Sequence, residues 1–426
     1  MSNFGFSQEN MSLNQAILMT LQSNRNVQIS QNSVIMTENL SSIGQAGLLP
    51  SLNASALVDY GSDNTKSQIR GTSILTENTG VESNIYSAAI QMNYTIFSGF
   101  GNKNTFEKLK TNINLVDAQS KVYIENIILQ VAANYYNVIR TEQNYQALIE
   151  SIEISQRRYE LAKAQNKYSG GTKLSLLNVQ VDLSKDSVIL YDAQLAMENA
   201  MIAFNKIVGL PLDTNVVLVQ DFSGENNYIY TQLLDNMNSQ NYELMALKYQ
   251  EQVSLLDYKI AKSSFYPTLS LGASYAYLNS TSDNSVFDIN QAHGPGVNLS
   301  LSIPIYNGGR KKSALDNSKI KIENANLQME ELGLQLEMEL LTSYKFYLNA
   351  LRKVKMEGIN VETASQNFQL TEEKYKLGQV INTTFREAQY NLIVAKNSYN
   401  NSKFNAKLAE LEIIKLSGVL LKQATN

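Results

Sequence analysis

The sequence predicts an α+β membrane protein in which each chain contributes four β-strands and two long antiparallel helical hairpins of coiled-coil type. Three observations lead to this fold class. The chain is internally duplicated, four short segments alternate between apolar and polar residues, and very long segments repeat apolar residues at every seventh position. Alternation is typical of strands, and a sustained seven-residue period is typical of helices that supercoil around neighbours.

The duplication is visible as matching segments at a nearly constant separation. Matching pairs are Asn24 with Asn241, Pro50 with Pro267, and Gly99 with Gly308. Each half is predicted to run through a helix, two strands, a very long helix, a glycine turn and another long helix. We place the first repeat at residues 12–210 and the second at residues 241–420, with a connecting segment at 211–240.

Four segments have the alternation expected of strands, at about residues 51–60, 85–97, 268–278 and 296–306. In the last of them Leu299 and Leu301 alternate with Asn298, Ser300 and Ser302. One apolar and one polar face fit a transmembrane barrel, although any single strand taken alone fits an ordinary half-buried sheet better. Because all four strands carry small polar residues on one face, we favour the barrel. The connecting segments, 61–83 and 278–294, are predicted to be exposed loops.

The predicted helices are unusually long. Residues 102–168 contain neither proline nor glycine, which allows about 100 Å of helix. Glycine turns near 169–172 and 376–380 fold the long helices back, so we infer two antiparallel hairpins. The seven-residue series are Ile124, Val131, Val138, Tyr145, Ile152 and Tyr159; Leu174, Val181, Val188, Leu195 and Ile202; and Leu340, Tyr347, Val354, Val361, Phe368 and Tyr375.

Four strands cannot form a closed membrane barrel, because both edge strands would leave backbone groups unpaired in lipid. About eight strands is the practical minimum for such barrels. The chain is therefore expected to oligomerise if its strands span a membrane, and three copies would give an allowed barrel of twelve strands.

Composition argues against an enzyme. The chain has no cysteine and a single histidine, His293, which excludes cysteine nucleophiles and thiolate metal sites and makes histidine triads improbable. We expect no catalytic residues, no metal and no cofactor, and the net charge of −4 gives no reason to expect nucleic acid as a partner. Gly308-Gly309-Arg310 lacks the Lys-Ser or Lys-Thr that completes a phosphate loop.

No run of 18 apolar residues is present, so no transmembrane helix is predicted. Residues 1–8 have neither a basic start nor a long apolar run and do not form a signal peptide. Either the protein is cytoplasmic or a signal has been removed, and the architecture favours removal.

In this order and spacing, several short motifs resemble the TolC-like outer-membrane efflux proteins, over about residues 12–420. The motifs are the strand-to-helix junction Ile303-Pro304-Ile305-Tyr306-Asn307-Gly308-Gly309-Arg310, the two hairpin tips Tyr168-Ser169-Gly170-Gly171-Thr172 and Tyr375-Lys376-Leu377-Gly378-Gln379, and Ala388-Gln389 with Leu416-Ser417-Gly418 near the end.

The resemblance implies a homotrimer in the outer membrane, with a twelve-stranded β-barrel continued by a long α-helical barrel through the periplasm. Residues 211–240 and the chain ends would form an equatorial region. The channel would be passive, serving a periplasmic adaptor and an inner-membrane pump of RND, ABC or MFS class, and would carry drugs, other small molecules or secreted polypeptides. The alternative is a structural coiled-coil protein of the cell surface that forms no channel.

The resemblance also implies roles for residues at the tips. An adaptor is expected to contact the turns, at Gly171, Thr172, Lys173, Gly378 and Gln379. The family's gate has two aspartates beyond the second turn, where this chain has Thr384 and Glu387, and an Arg–Asp pair where this chain has Val380 and Leu177. We therefore expect a single ring of Glu387 carboxylates, and a gate closed mainly by packing around Tyr375, Val380 and Leu177. A solvated Glu387 without a role is the alternative.

Overall fold

A computed structural model describes residues 10–68, 70–168, 171–220, 226–283 and 289–425 of the chain. Contacts divide the chain into two compact units. The strand unit comprises residues 35–116 and 247–328, and the helical unit comprises residues 1–34, 117–246 and 329–426. The expected absence of a signal peptide concerns residues 1–8, which lie outside the described residues.

Thirteen elements lie within the described residues. The helices are α1 (Leu13–Ser23), α2 (Arg25–Leu40), α3 (Gly101–Tyr168), α4 (Lys173–Val208), α5 (Tyr230–Gln240), α6 (Tyr242–Ser263), α7 (Arg310–Lys376), α8 (Asn382–Leu416) and α9 (Leu420–Thr425); the strands are β1 (Ser51–Gln68), β2 (Leu75–Ser98), β3 (Thr268–Ser282) and β4 (Asn290–Ser302). Among the described helices, none is both long enough and apolar enough to cross a membrane.

The strand unit contains one antiparallel sheet in the order β1-β2-β3-β4. Its register aligns apolar residues in one row, in which Leu52 pairs with Met92, Met92 with Ala273, and Ala273 with Val297. Paired residues point to the same side of a sheet, and the next row points to the other side. That next row consists of Asn53, Gln91, Ser274 and Gly296. The sheet therefore has one apolar face and one face of small or polar residues, as the alternation predicted.

The strands differ from the predicted ones in length. β1, β2 and β3 continue well into the polar segments that we had predicted to be loops, and this prediction was wrong for most of 61–83 and 278–294. Serine, threonine and asparagine are common in loops but also in water-exposed strands, so the composition of these segments does not distinguish a loop from a strand. β4 covers 290–302 and not 296–306, which fits the inability of Pro304 to donate a backbone hydrogen bond.

The two repeats are confirmed at the level of single helices. α1 and α5 each have 11 residues and begin 217 positions apart, at 13 and 230. α2 and α6 begin at the same separation, at 25 and 242. Each repeat therefore starts with two helices, where one was predicted, and the second repeat begins near 230, inside the segment 211–240. The break between the paired helices, at an asparagine, hid the first helix from the sequence pattern.

That asparagine joins the two helices to the end of a long one. Asn24 is buried, and its side-chain oxygen accepts hydrogen bonds from the backbone N–H groups of Asn26 and Val27 at 2.9 and 3.4 Å. Its side-chain nitrogen donates to the carbonyl of Ile207 at 2.8 Å, in the last turn of α4. The side chain thus caps the start of α2 and satisfies a carbonyl at the end of α4.

The second repeat contains the same joint. Asn241 accepts hydrogen bonds from the N–H groups of Glu243 and Leu244 at 2.9 and 3.1 Å and donates to the carbonyl of Leu416 at 3.1 Å. Beside each joint a glycine, Gly209 or Gly418, ends the long helix with positive φ. A Cβ at Gly418 would lie 2.5 Å from the backbone of Gln240, so the close approach requires glycine.

Heptad positions of α3 and α7 form much of the core of the helical unit. Val131, Val138, Leu340 and Tyr347 are at most 2% exposed. The corresponding series of α4 is exposed in the single chain, with Val188 at 58%. A seven-residue period therefore occurs both on buried helix faces and on a face that this chain alone leaves uncovered.

We expect Asn24→Ala to destabilise the helical unit by about 1–3 kcal/mol, because it removes the cap of α2 and the hydrogen bond to the carbonyl of Ile207 at the end of α4. Asn26→Ala is the matched control, since Asn26 is exposed and such surface changes cost within about 0.5 kcal/mol. Thermal unfolding followed by circular dichroism of the detergent-solubilised protein measures both. Equal midpoints for the two variants would contradict a stabilising role of the joint.

Candidate functional site

The first hairpin tip joins α3, which ends at Tyr168, to α4, which begins at Lys173. Of the predicted tip, residues 169 and 170 lie outside the described residues. The N–H of Gly171 donates to the carbonyl of Gln165 at 3.0 Å, and a Cβ there would lie 2.9 Å from the backbone of the same helix end. Thr172 is the N-cap of α4, since its hydroxyl accepts a hydrogen bond from the N–H of Ser175 at 3.2 Å.

The second tip joins α7 to α8 through residues 377–381. Gly378 has φ +73°, and its N–H donates to the carbonyl of Tyr375 at 3.0 Å. The N–H of Gln379 donates to the carbonyl of Lys374 at 2.9 Å. This is a helix C-terminus closed by a left-handed glycine. Lys173, Gly378 and Gln379 are exposed, while Gly171 is half-buried.

Tyr375 packs inside its own hairpin. Its ring lies 4.8 Å from the ring of Phe385, which in turn lies 5.5 Å from the ring of Phe368. Burial raises the pKa of the Tyr375 hydroxyl, and the nearby Arg158 charge offsets part of this rise. Tyr375 therefore stays neutral and acts as a packing residue at the base of the tip.

The other predicted gate residues face outward in the single chain. Leu177 is 48% exposed and lines an apolar surface depression on α4 with Val181 and Val188. Glu387 and Thr384 are exposed, and Val380 is half-buried. Within one chain Tyr375 packs on Phe385, so joint packing of Tyr375, Val380 and Leu177 stays a prediction for an assembled channel.

Glu387 lines a second depression, between α4 and α8, together with Asp182, Lys185 and Arg386. Opposite charges are mixed along this depression, so Glu387 is not part of a purely acidic patch within one chain. No group of three or more metal-binding side chains occurs within the residues that the structure describes.

Sequence reasoning missed a set of polar residues that joins the two hairpins above the tips. Both terminal nitrogens of Arg386 on α8 donate to the carboxylate of Asp186 on α4, one of them at 2.6 Å. The hydroxyl of Ser155 on α3 donates to the same carboxylate at 2.6 Å and accepts from Gln389 Nε2 at 3.0 Å. Gln389 Oε1 in turn accepts from Arg386 at 3.3 Å. We call these four residues the interhairpin ring.

Three of the four ring residues are buried, and the fourth, Arg386, has a side chain that is 24% exposed. Ser155, Gln389 and Asp186 are 0%, 1% and 7% exposed. Burial alone would lower the pKa of the Arg386 guanidinium, but the hydrogen bonds and charge of Asp186 outweigh burial and raise it. Of these residues, the sequence had drawn attention only to Gln389, as half of the motif Ala388-Gln389. Asp186 and Arg386 lie 200 positions apart, and no period or motif connects them.

A buried arginine lies beside the ring. Arg158 on α3 is 3% exposed, donates to Asp182 on α4 at 2.9 Å, and has its guanidinium carbon 5.6 Å from the centre of the Phe385 ring. Burial lowers the pKa of Arg158, and the charge of Asp182 partly restores it. Arg158 thus links α3 to α4 and contacts the aromatic cluster that holds Tyr375.

Further contacts between α3 and α8 continue away from the tips. Lys396 pairs with Glu150 at 2.6 Å, Asn400 donates to Asn144 at 3.0 Å, and Arg140 donates to Asn401 at 3.0 Å. The partners run in opposite directions along the two helices, so α3 and α8 are antiparallel neighbours. Polar contacts therefore connect the hairpins along several helical turns.

Comparison with known proteins identifies the family to which this two-repeat fold belongs. The model of the family described as outer membrane efflux protein matches residues 16–210 and 233–419, which are the two repeats. The chain belongs to the outer membrane efflux protein family. A member of this family is an outer-membrane efflux or secretion duct with a periplasmic helical part, and not an enzyme, as the sequence predicted.

Several relatives of the family are similar over most of their length. The chain is 22% identical to the outer membrane protein TolC of Vibrio cholerae over 359 residues, covering 80% of this chain and 78% of that protein. It is 20% identical to the alkaline protease secretion protein AprF of Pseudomonas aeruginosa over 393 residues, covering 89% and 78%.

Solved structures confirm the fold. The CmeC outer membrane channel of Campylobacter jejuni superposes with a TM-score of 0.78 at 15% identity, covering 97% of this chain and 89% of that chain. The outer membrane protein VceC of Vibrio cholerae superposes with a TM-score of 0.72 at 16% identity, covering 95% and 96%. The predicted fold class, four strands with long helical hairpins in two repeats, is the fold of these outer-membrane efflux proteins.

Proposed function

We propose that this chain is one third of a passive exit duct, a homotrimer with a twelve-stranded barrel in the outer membrane and an α-helical barrel in the periplasm. The observation that carries the proposal is that the single chain leaves surfaces uncovered both in its sheet and in its long helices. Its sheet has two unpaired edges, and two of its long helices carry uncovered apolar rows.

The sheet edges are the stronger of the two arguments. In the order β1-β2-β3-β4, β1 and β4 each pair on one side only. Their apolar face is exposed, with Leu52 at 71% and Leu299 at 65%. In lipid every backbone group must be paired, so β4 of one protomer has to pair with β1 of the next until the sheet closes. Three copies close it with twelve strands.

The long helices support the same cyclic arrangement, in which one side of each protomer contacts the opposite side of the next. α3 contacts α4 and α8 through the bonds described above, and α8 contacts α7 through Phe385 and Phe368. On the outer surfaces of α4 and α7, apolar residues are exposed in rows. The row on α4 is Leu174, Val181, Val188, Leu195 and Ile202, and the row on α7 is Ile320, Leu327, Leu334 and Leu341. We propose that α4 of one protomer packs on α7 of the next, as in a heterologous cyclic interface.

The duct is proposed to receive its substrates from an inner-membrane pump through a periplasmic adaptor. RND, ABC and MFS pumps all fit this scheme. The relatives suggest both kinds of cargo, since one is a toluene efflux pump outer membrane protein of Pseudomonas putida and another an alkaline protease secretion protein. Small molecules and polypeptides are therefore both proposed substrate classes.

Light scattering in detergent tests the assembly directly. The expected particle has three times the chain mass of 47.6 kDa and requires detergent to stay in solution. A structural coiled-coil protein of the cell surface would stay in solution without detergent. A monomer that needs no detergent would therefore reject the duct in favour of that alternative.

The apolar face of the sheet is expected to contact lipid. Leu301→Arg should cost about 2–4 kcal/mol if position 301 lies near the bilayer midplane, whereas Ser300→Arg should be tolerated because Ser300 faces the water-filled side. An outer-membrane assembly assay that scores heat-resistant trimers measures both variants. Equal assembly of the two would show that the faces are assigned wrongly.

The exposed turns are expected to contact the adaptor. A photo-crosslinking residue at Thr172 or Gln379 should capture it in cells, because both turns are at the free ends of the hairpins. Placing the same group at Ser239, an exposed residue of α5, provides the control. Capture from neither tip, in cells in which the duct still exports, would reject the contact.

Glu387 is expected to form an acidic ring at the entrance. A ring of like charges in a narrow pore favours cations and binds multivalent ones. Glu387→Gln should therefore reduce cation selectivity and weaken block by trivalent cations added from the tip side, as measured by single-channel recording. Glu337→Gln is the control, because Glu337 is an exposed glutamate on α7, away from the second tip. Selectivity and block that do not change in Glu387→Gln would leave Glu387 a solvated helix residue.

A further inference from the structure

The face of the sheet that carries small or polar residues is interrupted by three branched apolar side chains. Leu57 pairs with Ser87, and Ser87 pairs with Leu278, so these residues form one row across β1, β2 and β3. Ile85 lies two residues from Ser87 on β2 and therefore points to the same side of the sheet. Leu57, Ile85 and Leu278, which we call the apolar patch, thus surround Ser87.

The apolar patch is a local exception on this face. Leu57 is 56% exposed and Leu278 is 37% exposed, so the single chain leaves both in contact with water. The two rows that precede the patch, counted from the start of β1, contain only small or amide side chains. They are Asn53, Gln91, Ser274 and Gly296, and then Ser55, Ala89, Ala276 and Gly294.

A carboxylate borders the apolar patch. Asp59 pairs directly with Ile85, which places the Cβ atoms of the two residues about 5 Å apart. Asp59 is exposed and lies two residues from Leu57, on the same face of β1. The remaining members of the rows of Leu57 and Asp59 are uncharged, and they are Ser87, Ala292, Ser280 and Asn290.

A second carboxylate lies farther along β1. Asp63 Oδ2 is 3.9 Å from the point at which a Cβ of Gly61 would lie, and Gly61 follows Asp59 by two residues on the same face. The negative charge next to the apolar patch is therefore concentrated on one side, toward the end of β1.

Apolar and anionic groups at this spacing suit an organic cation with an apolar body. Contact with the branched side chains removes apolar surface of the ligand from water, while the nearby carboxylate attracts its positive charge. A metal ion would gain only from the carboxylate, and an uncharged apolar molecule would gain only from the apolar patch. Because water surrounds the site, both attractions are modest, and weak binding allows a transported molecule to leave again.

We propose that Leu57, Ile85, Leu278 and Asp59 form a weak binding site for amphipathic organic cations on the water-filled wall of the barrel. The site lies about 20 Å along β1 from its first residue, Ser51, and a trimer has three copies of it. Cargo of this chemical class rests there between the helical part and the exit. This inference rests on the proposed duct, in which the polar face of the sheet encloses the lumen.

Protection of an introduced thiol tests whether the patch binds such a cation. The chain has no cysteine, so Ser87→Cys places the only thiol at the centre of the patch. A charged, membrane-impermeant thiol reagent is added to isolated outer membranes, with tetraphenylphosphonium as the probe. Tetramethylammonium is the control probe, because it carries the same charge without a large apolar body. Val58→Cys is the control thiol, since Val58 follows Leu57 and points to the lipid-facing side.

Tetraphenylphosphonium is expected to slow the reaction at position 87 several-fold, and tetramethylammonium is expected to leave the rate unchanged. Equal protection by the two probes would indicate a simple effect of charge and would overturn the proposal. A thiol at position 87 that never reacts, in a chain that forms trimers, would mean that other residues cover the patch, with the same consequence. Equal reaction at positions 58 and 87 would instead contradict the assigned faces, and with them the duct.

Single-channel recording then tests the individual residues. Tetraphenylphosphonium added from the barrel side should reduce the current, and Asp59→Asn should raise the concentration for half block about fivefold. The double variant Leu57→Ser with Leu278→Ser should weaken block at least as much, because it removes most of the apolar contact. Glu82→Gln and Val58→Ser are the matched controls, since both residues are exposed on the opposite face and should leave block unchanged.

Block that is unchanged in Asp59→Asn or in the double variant would place the binding elsewhere in the channel and overturn the proposal. Conducting trimers of the unsubstituted chain that tetraphenylphosphonium does not block would also overturn it, while leaving the duct intact. Failure of the unsubstituted chain to form conducting trimers would count against the duct itself.

Discussion

Backbone hydrogen-bonding groups at the edge of a sheet cannot remain unpaired in lipid, and the architecture of this chain follows from that constraint. A sheet of four strands has two such edges, at β1 and β4, and apolar residues on one of its faces, such as Leu52 and Leu299, are exposed in the single chain. The sheet is complete only when copies of the chain pair edge to edge.

The internal duplication gives both halves of the chain the same order of helices and strands. Each repeat begins with a helix, an asparagine joint and a second helix, and each ends with a long helix capped beside a glycine. The joints at Asn24 and Asn241 make the same hydrogen bonds to Ile207 and Leu416. The repeats diverge near the tips. Phe385 and Gln389 belong to the second repeat, and Ser155 and Asp186, which complete the polar contacts, belong to the first.

The helical unit uses two kinds of contact for two purposes. Between its hairpins it buries charges and amides in the interhairpin ring, and on its outer surfaces it presents apolar rows. Buried polar contacts are demanding in geometry and costly to break, whereas apolar contacts tolerate sliding.

The sequence alone determined the fold class, the two repeats and the two faces of the sheet. Periods of two and seven residues follow from local backbone geometry, and duplication is visible in the letters themselves. Strand ends were less predictable, because the serines and asparagines of 61–68 and 75–83 suit a loop as well as a wet strand. The helix break at Asn241 likewise concealed α5 as the start of the second repeat.

Only the tertiary structure revealed the interhairpin ring. Asp186 and Arg386 are far apart in the chain and occupy positions that do not correspond between the repeats, so neither periodicity nor motif could pair them. Their contact depends on how α3, α4 and α8 pack, which sets the distance and the burial of each side chain. Periodicity tells which face of a helix is apolar, but packing decides which buried charge meets which partner.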